Sequence, residues 1–241
     1  MKTTSLLSIT ILSTIVSGIL NYIYHPFMLQ YMDIVTYAEF ESLLGLFSIL
    51  GVITSSIWYF LVKEILARKD SWSINNFVFF SITQYLVITG IILYILYLVF
   101  VPIISQLINI SNYWAIAIVG ITLILSFFGI SSNSILQARQ SFVVIWLNSI
   151  LSALLKIIIA GIIGIFWITL INAVWSFILT SILTSWWIFF YVWLLLRDWK
   201  KPSKEEKQDF KKDFINEKTN LWYFFWVSIV LAFLMNIDVV L

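Results

Sequence analysis

The residue with the clearest potential for chemistry is Lys156, the one cation that falls inside a long apolar run. Counted from the start of that run near Phe142, at about 1.5 Å per helical residue, it lies roughly 21 Å into a membrane. An ammonium group at that depth is expected to face a bundle interior or a watery cavity rather than lipid. It could contact an anionic substrate group, snorkel to the interface, or be neutralised by a carboxylate. We favour the substrate contact, because we expect no carboxylate at the same depth.

Small polar residues accompany this lysine. Ser149 and Ser152 precede it by seven and four positions, which places them on the same helix face. A second polar stripe repeats every three or four positions along the first apolar run. Such stripes line cavities, but they also let helices pack closely. We take six residues as candidate substrate contacts in a cavity: Lys156, Ser152, Ser149, Asn21, Ser17 and Thr14.

Two further ionisable residues fall at the outer ends of apolar runs. His25 lies beside Pro26 and is either a proton sensor or simply hydrated. Asp238 is the only carboxylate that we place inside an apolar run. It could bind a coupling cation or lie in water near the outer surface.

The residue types that most enzymes need are scarce. The chain has no cysteine and one histidine, and it has no glycine-rich phosphate loop, no HExxH motif and no Ser/His/Asp set. We therefore predict no catalytic site, no cofactor and no metal, and we expect neither an enzyme nor a nucleic-acid partner.

The elements that would hold these residues are membrane helices. With 61% hydrophobic and 11% charged residues, the chain is far more apolar than a soluble domain. Its apolar runs are unbroken rather than alternating, which predicts an all-α polytopic transmembrane bundle. We place seven spans, at 5–29, 40–62, 77–100, 114–136, 142–165, 172–196 and 221–241.

The cations fall on one side of these spans. The segment 197–220 carries eight of the 14 Lys and Arg residues, and the other cations outside the spans lie on the same side. The positive-inside rule therefore predicts a cytoplasmic amino terminus and a multi-pass protein of the cytoplasmic membrane. The predicted domains are a six-helix lobe at 1–196, a basic cytoplasmic linker at 197–220 and a seventh helix at 221–241.

Three short stretches carry a resemblance. NYIYHPFMLQYMDIVTYAEFESLLGLFSILGV (Asn21 to Val52), SILQARQSF (Ser134 to Phe142) and FLMNIDVVL (Phe233 to Leu241) resemble segments of Wzx-type polysaccharide flippases in the MOP exporter superfamily. The resemblance implies two six-helix lobes around a central cavity. It also implies alternating access that moves undecaprenyl-pyrophosphate-linked oligosaccharides, such as lipopolysaccharide precursors, to the outer leaflet.

Under this resemblance, Lys156 would contact the pyrophosphate or an acidic sugar. The partners would be the lipid-linked oligosaccharide and membrane lipids, together with the polysaccharide polymerase and glycosyltransferases. The chain would supply the first lobe and the first helix of the second, as a fragment of a larger transporter.

Two other functions remain open. A cation-coupled multidrug-type exporter of the same superfamily would need a carboxylate in the bundle, and we expect none in the first six spans. A non-transporting membrane subunit of a polysaccharide assembly complex would need no cavity.

Overall fold

The computed structural model describes residues 3–67, 72–165 and 169–197, with scattered residues between 203 and 226. Throughout this part of the chain the regular structure is helical, which confirms the all-α prediction. The helices are α1 (Thr3–Leu29), α2 (Ile34–Ala67), α3 (Trp72–Phe77), α4 (Thr83–Leu107), α5 (Tyr113–Val119), α6 (Ile121–Ala138), α7 (Phe142–Ile165) and α8 (Leu170–Leu195). A π-helical turn, Val78–Ile82, joins α3 to α4.

Among the described residues, five segments are long and apolar enough to cross a membrane. They are Ile34–Gly51, Asn75–Leu107, Tyr113–Ala138, Phe142–Gly164 and Leu170–Leu195. They overlap the second to sixth predicted spans. The first predicted span coincides with α1, a helix of 27 residues. The chain is therefore a multi-pass membrane protein.

The predicted linker and the seventh span lie largely outside the described residues, and so does Asp238.

The start of α2 differs from the prediction. The helix begins at Ile34, six residues before the predicted boundary at residue 40. Asp33 caps it, because its carboxylate accepts hydrogen bonds from the Thr36 backbone N–H at 2.9 Å and from the Thr36 hydroxyl at 2.7 Å. The same hydrogen bonds, the backbone one foremost, lower the pKa of Asp33. Residues that the sequence placed in an outer loop are therefore helical.

The helices form a bundle with two ends. We call the end where α2 and α6 finish and α7 begins the basic end, because Lys63 and Arg139 lie there. We call the end where α1 and α7 finish and α2 begins the far end. The main packing partners are α2 with α6, α4 with α6, α1 with α7, and α7 with α8. One apolar cluster, which includes Tyr24 and Phe40, packs towards the far end, and another, which includes Phe60 and Ile135, packs towards the basic end.

Gly120 lies at the junction of α5 and α6, directly against the ring of Tyr97. A Cβ atom at this position would overlap that ring. Tyr97 is buried, and its hydroxyl donates to the carbonyl oxygen of Ile116 at 2.8 Å. The ring therefore cannot move aside without losing this hydrogen bond.

We predict that Gly120→Ala destabilises the protein by about 1–3 kcal/mol, the usual cost of overpacking a rigid site. Gly18→Ala is the matched control, because a Cβ at Gly18 would have no neighbour within 4 Å. Unfolding free energies in mixed micelles measure the difference. Equal stability of the two variants would contradict the packing described for Tyr97.

Candidate functional site

Two residues that the sequence singled out separately are in contact. The Lys156 ammonium on α7 donates to Oδ1 of Asn21 on α1 at 2.9 Å. Helices α1 and α7 run parallel here, since a Cβ at Gly161 would lie 3.5 Å from the Phe27 ring, further along both helices. A polar side chain on the neighbouring helix thus gives the membrane-embedded cation a partner.

Aromatic rings surround the same ammonium. Nζ of Lys156 lies 5.3 Å from the ring centroid of Tyr24 and 5.1 Å from that of Phe177. Both distances are within the range of cation–π attraction. Sequence reasoning missed both rings, although Tyr24 follows Asn21 by three positions and so shares its helix face.

The Tyr24 hydroxyl is buried without a hydrogen-bond partner. The Ser176 hydroxyl lies near it and donates to the carbonyl oxygen of Ala173 at 2.7 Å, so its oxygen can still accept a hydrogen bond from Tyr24. The Tyr24 oxygen can in turn accept a hydrogen bond from a group that enters beside Lys156.

Glu41 corrects two of our expectations. It lies seven residues inside α2, roughly 10 Å along the helix axis, while Lys156 lies nine residues, roughly 14 Å, from the same end of α7. The expectations that no carboxylate lies at the depth of Lys156, and that Asp238 is the only carboxylate inside an apolar run, were wrong. They failed because the predicted span began at residue 40, which put Glu41 at its outer end, whereas α2 begins at Ile34 and places Glu41 two turns inside the helix.

Glu41 itself is paired with His25. Nδ1 of His25 lies 2.6 Å from Oε1 of Glu41 and 3.0 Å from the Tyr37 hydroxyl. The side chains of His25 and Glu41 are 40% and 26% exposed, so the pair is only partly buried. His25 is thus bonded to a carboxylate rather than only hydrated.

The other predicted site residues do not converge on Lys156. The Ser17 hydroxyl donates to the Thr14 carbonyl oxygen at 3.2 Å. The Ser149 hydroxyl donates at 3.2 Å to a carbonyl oxygen one turn earlier in its own helix. Thr14 and Ser149 are exposed, and Ser152 is half-buried one turn from Lys156. Of these residues, Ser152 lies near enough to Lys156 to contact the same ligand.

The polar cluster of Asn21, Tyr24, His25, Glu41 and Lys156 can bind an anion. An ammonium carries three N–H donors, and Asn21 accepts one of them. The remaining donors can contact a phosphate or carboxylate group. Within the described ranges, no three His, Asp or Glu side chains are grouped as metal ligands.

A solved structure has the same arrangement of helices. It is a MOP superfamily transporter from Pyrococcus furiosus, whose reversed binding-pocket polarity suggests a different function. The TM-score is 0.52 and the identity 21%, over 96% of this chain and 51% of that one. The chain shares the fold of that transporter. It spans about half the length of the MOP protein it matches. No protein-family model and no curated protein sequence matches the chain.

We predict that Asn21 and Lys156 stabilise the fold cooperatively. In a double-mutant cycle of Asn21→Ala and Lys156→Met, the coupling free energy should be about 1 kcal/mol or more, because the hydrogen bond joins an amide to a charge. Ser17→Ala with Lys156→Met is the control cycle, since Ser17 bonds its own helix. Unfolding of the full-length protein in mixed micelles gives the values. A coupling no larger than that of the control would refute the contact.

Proposed function

We propose that this chain forms one lobe of a MOP-type membrane transporter that moves undecaprenyl-pyrophosphate-linked oligosaccharides across the cytoplasmic membrane. The observation that carries the proposal is Lys156, a cation inside the bundle that keeps donors for an anionic group. The shared MOP fold supports transport, and the charge of the site supports the substrate class.

The geometry favours a pyrophosphate over a neutral ligand at Lys156. A buried charge without a strong partner is costly, and the neighbours of this ammonium are an amide oxygen and two aromatic rings. Glu41 is nearby but is held by His25 at 2.6 Å. A pyrophosphate would supply the negative charge that these neighbours of Lys156 lack.

A second candidate function rests on Glu41. A cation-coupled multidrug-type exporter needs a carboxylate in the bundle, and Glu41 provides one. However, an organic cation that approached Glu41 would also meet Lys156, and it would have to displace His25. In the Pyrococcus furiosus transporter, pocket polarity suggests the function. By the same reasoning, the cation here favours an anionic substrate.

The transport step follows from the two-lobe arrangement. We propose that the basic end faces the cytoplasm, because Lys63 and Arg139 lie there, and that a second lobe packs across a central cavity. Rocking of the two lobes would expose Lys156 to each side in turn. Glycosyltransferases would assemble the lipid-linked oligosaccharide before this step, and the polysaccharide polymerase would act after it.

We predict that Lys156→Met in the intact transporter abolishes surface polysaccharide and leaves lipid-linked precursor in the cells. Loss of a charged hydrogen bond of about 1.5–3 kcal/mol corresponds to a loss of rate of tenfold or more. Lys156→Arg should retain partial export. Lys63→Met, at an exposed position on α2, is the control and should export normally.

Polysaccharide blotting, precursor quantification and immunoblotting of the transporter measure the outcome together. Normal export by Lys156→Met would remove the proposed site. Lost export without precursor accumulation would favour a non-transporting subunit of the assembly complex. Resistance to organic cations that depends on Glu41 would favour the multidrug exporter.

A further inference from the structure

Two adjoining cavities lie nearer the basic end, away from Lys156. One has a volume of about 380 Å³ and lies among α2, α6 and α7, and the other, of about 180 Å³, lies among α2, α6 and α8. Ser126 and Asn133 line both, so the cavities meet at these two residues. The larger volume is within the range of small-molecule sites, about 300–1,000 Å³.

The walls of these cavities are polar but uncharged. None of the described residues that line either cavity is an Asp, Glu, Lys, Arg or His. The lining consists of hydroxyl and amide side chains together with apolar residues. Trp58 is one of the residues that line the larger cavity. A charged ligand would find no counterion here, whereas a neutral ligand rich in hydroxyl groups would find hydrogen-bond partners.

Several of these side chains have already used their donors. The hydroxyls of Thr54, Ser181 and Thr184 donate to carbonyl oxygens of their own helices, at 2.7, 3.0 and 2.9 Å. The Asn133 amide donates to the Gly129 carbonyl oxygen at 3.0 Å. Their oxygen atoms can still accept hydrogen bonds. Because Asn133 also keeps a second N–H, the cavity can both accept hydrogen bonds from and donate them to the hydroxyl groups of a ligand.

We propose that these cavities are a carbohydrate subsite, which binds neutral sugar rings of the substrate by their hydroxyl groups. The indole of Trp58 offers a flat apolar surface to the C–H face of a ring. This inference rests on the proposed function, because it gives the sugars and the pyrophosphate separate sites on one lobe.

The two sites are distinct in space. Ile145, which lines the larger cavity, is eleven residues from Lys156 on α7, roughly 16 Å along the helix. Phe47 lines the smaller cavity and packs edge-on against Phe177, with ring centroids 4.7 Å apart. Phe177 in turn lies beside the Lys156 ammonium. An aromatic pair thus separates the neutral site from the charged one.

The experiment uses two probes on the full-length transporter in detergent. The first is the oligosaccharide released from the cells' own lipid-linked precursor by mild acid, which carries no pyrophosphate. The second is undecaprenyl pyrophosphate, which carries no sugar. Binding of each is measured by quenching of tryptophan fluorescence and by thermal stabilisation.

The variants are Asn133→Leu and the milder Ser126→Ala. Ser134→Ala is the matched control, because Ser134 is fully buried on the same helix and bonds the Ile130 carbonyl oxygen at 2.7 Å. We expect Asn133→Leu to weaken binding of the free oligosaccharide roughly tenfold, and Ser126→Ala by a smaller factor in the same direction. Ser134→Ala and Lys156→Met should leave this affinity unchanged.

Undecaprenyl pyrophosphate should show the opposite dependence, weakened by Lys156→Met and unaffected by Asn133→Leu. Oligosaccharide that fails to bind, or that binds the wild type and both cavity variants equally, would overturn the carbohydrate subsite. If undecaprenyl pyrophosphate still binds through Lys156 in that case, the proposed function stands alone. If the lipid shows no dependence on Lys156 while the sugar depends on Asn133, the subsite stands and the pyrophosphate contact is wrong.

Discussion

The Lys156 ammonium lies inside an apolar bundle, where an unpaired charge is costly. Side chains towards the far end of the bundle contact this ammonium and stabilise it. Its contacts come from two other helices: Asn21 and Tyr24 on α1, and Phe177 on α8. They form only if α1 and α8 both pack against α7. A charge that a soluble protein would leave in water therefore constrains how three helices pack.

The same cluster is not a closed ion pair. Glu41 is hydrogen-bonded to His25, and no carboxylate among the described residues forms an ion pair with Lys156, which retains donors for another anion. The buried Tyr24 hydroxyl, which forms no hydrogen bond with the described residues, is a further polar group on a ring beside Lys156. Nearer the basic end, the cavities around Ser126 and Asn133 have no charge in their walls. Under the proposed function, the charged site would contact the pyrophosphate and the neutral site would contact the sugars.

Much of the fold could be predicted, because unbroken apolar runs of about 20 residues leave few alternatives to membrane helices. Lys156 and Asn21 were also identifiable, since polar residues are rare in such runs. Their contact was not, because it joins positions 135 residues apart. The depth of Glu41 was missed because the predicted span began at residue 40, whereas Asp33 caps α2 six residues earlier. Tyr24 and Phe177 were missed because aromatic residues make up 18% of the chain, and nothing local separates those beside Lys156 from the rest.

Cysteine accessibility tests the central claim most directly, because the chain has no cysteine of its own and labelling of the unsubstituted transporter gives the background. Ser152→Cys places a thiol one turn from Lys156 on the same face, and Ile158→Cys places one on the exposed surface of α7. A charged, water-soluble thiol reagent should label Ser152→Cys in the intact transporter, and the lipid-linked oligosaccharide should protect it. Ile158→Cys should stay unlabelled in lipid. Labelling at Ser152→Cys that the substrate does not reduce, or no labelling at all, would contradict a substrate cavity at Lys156.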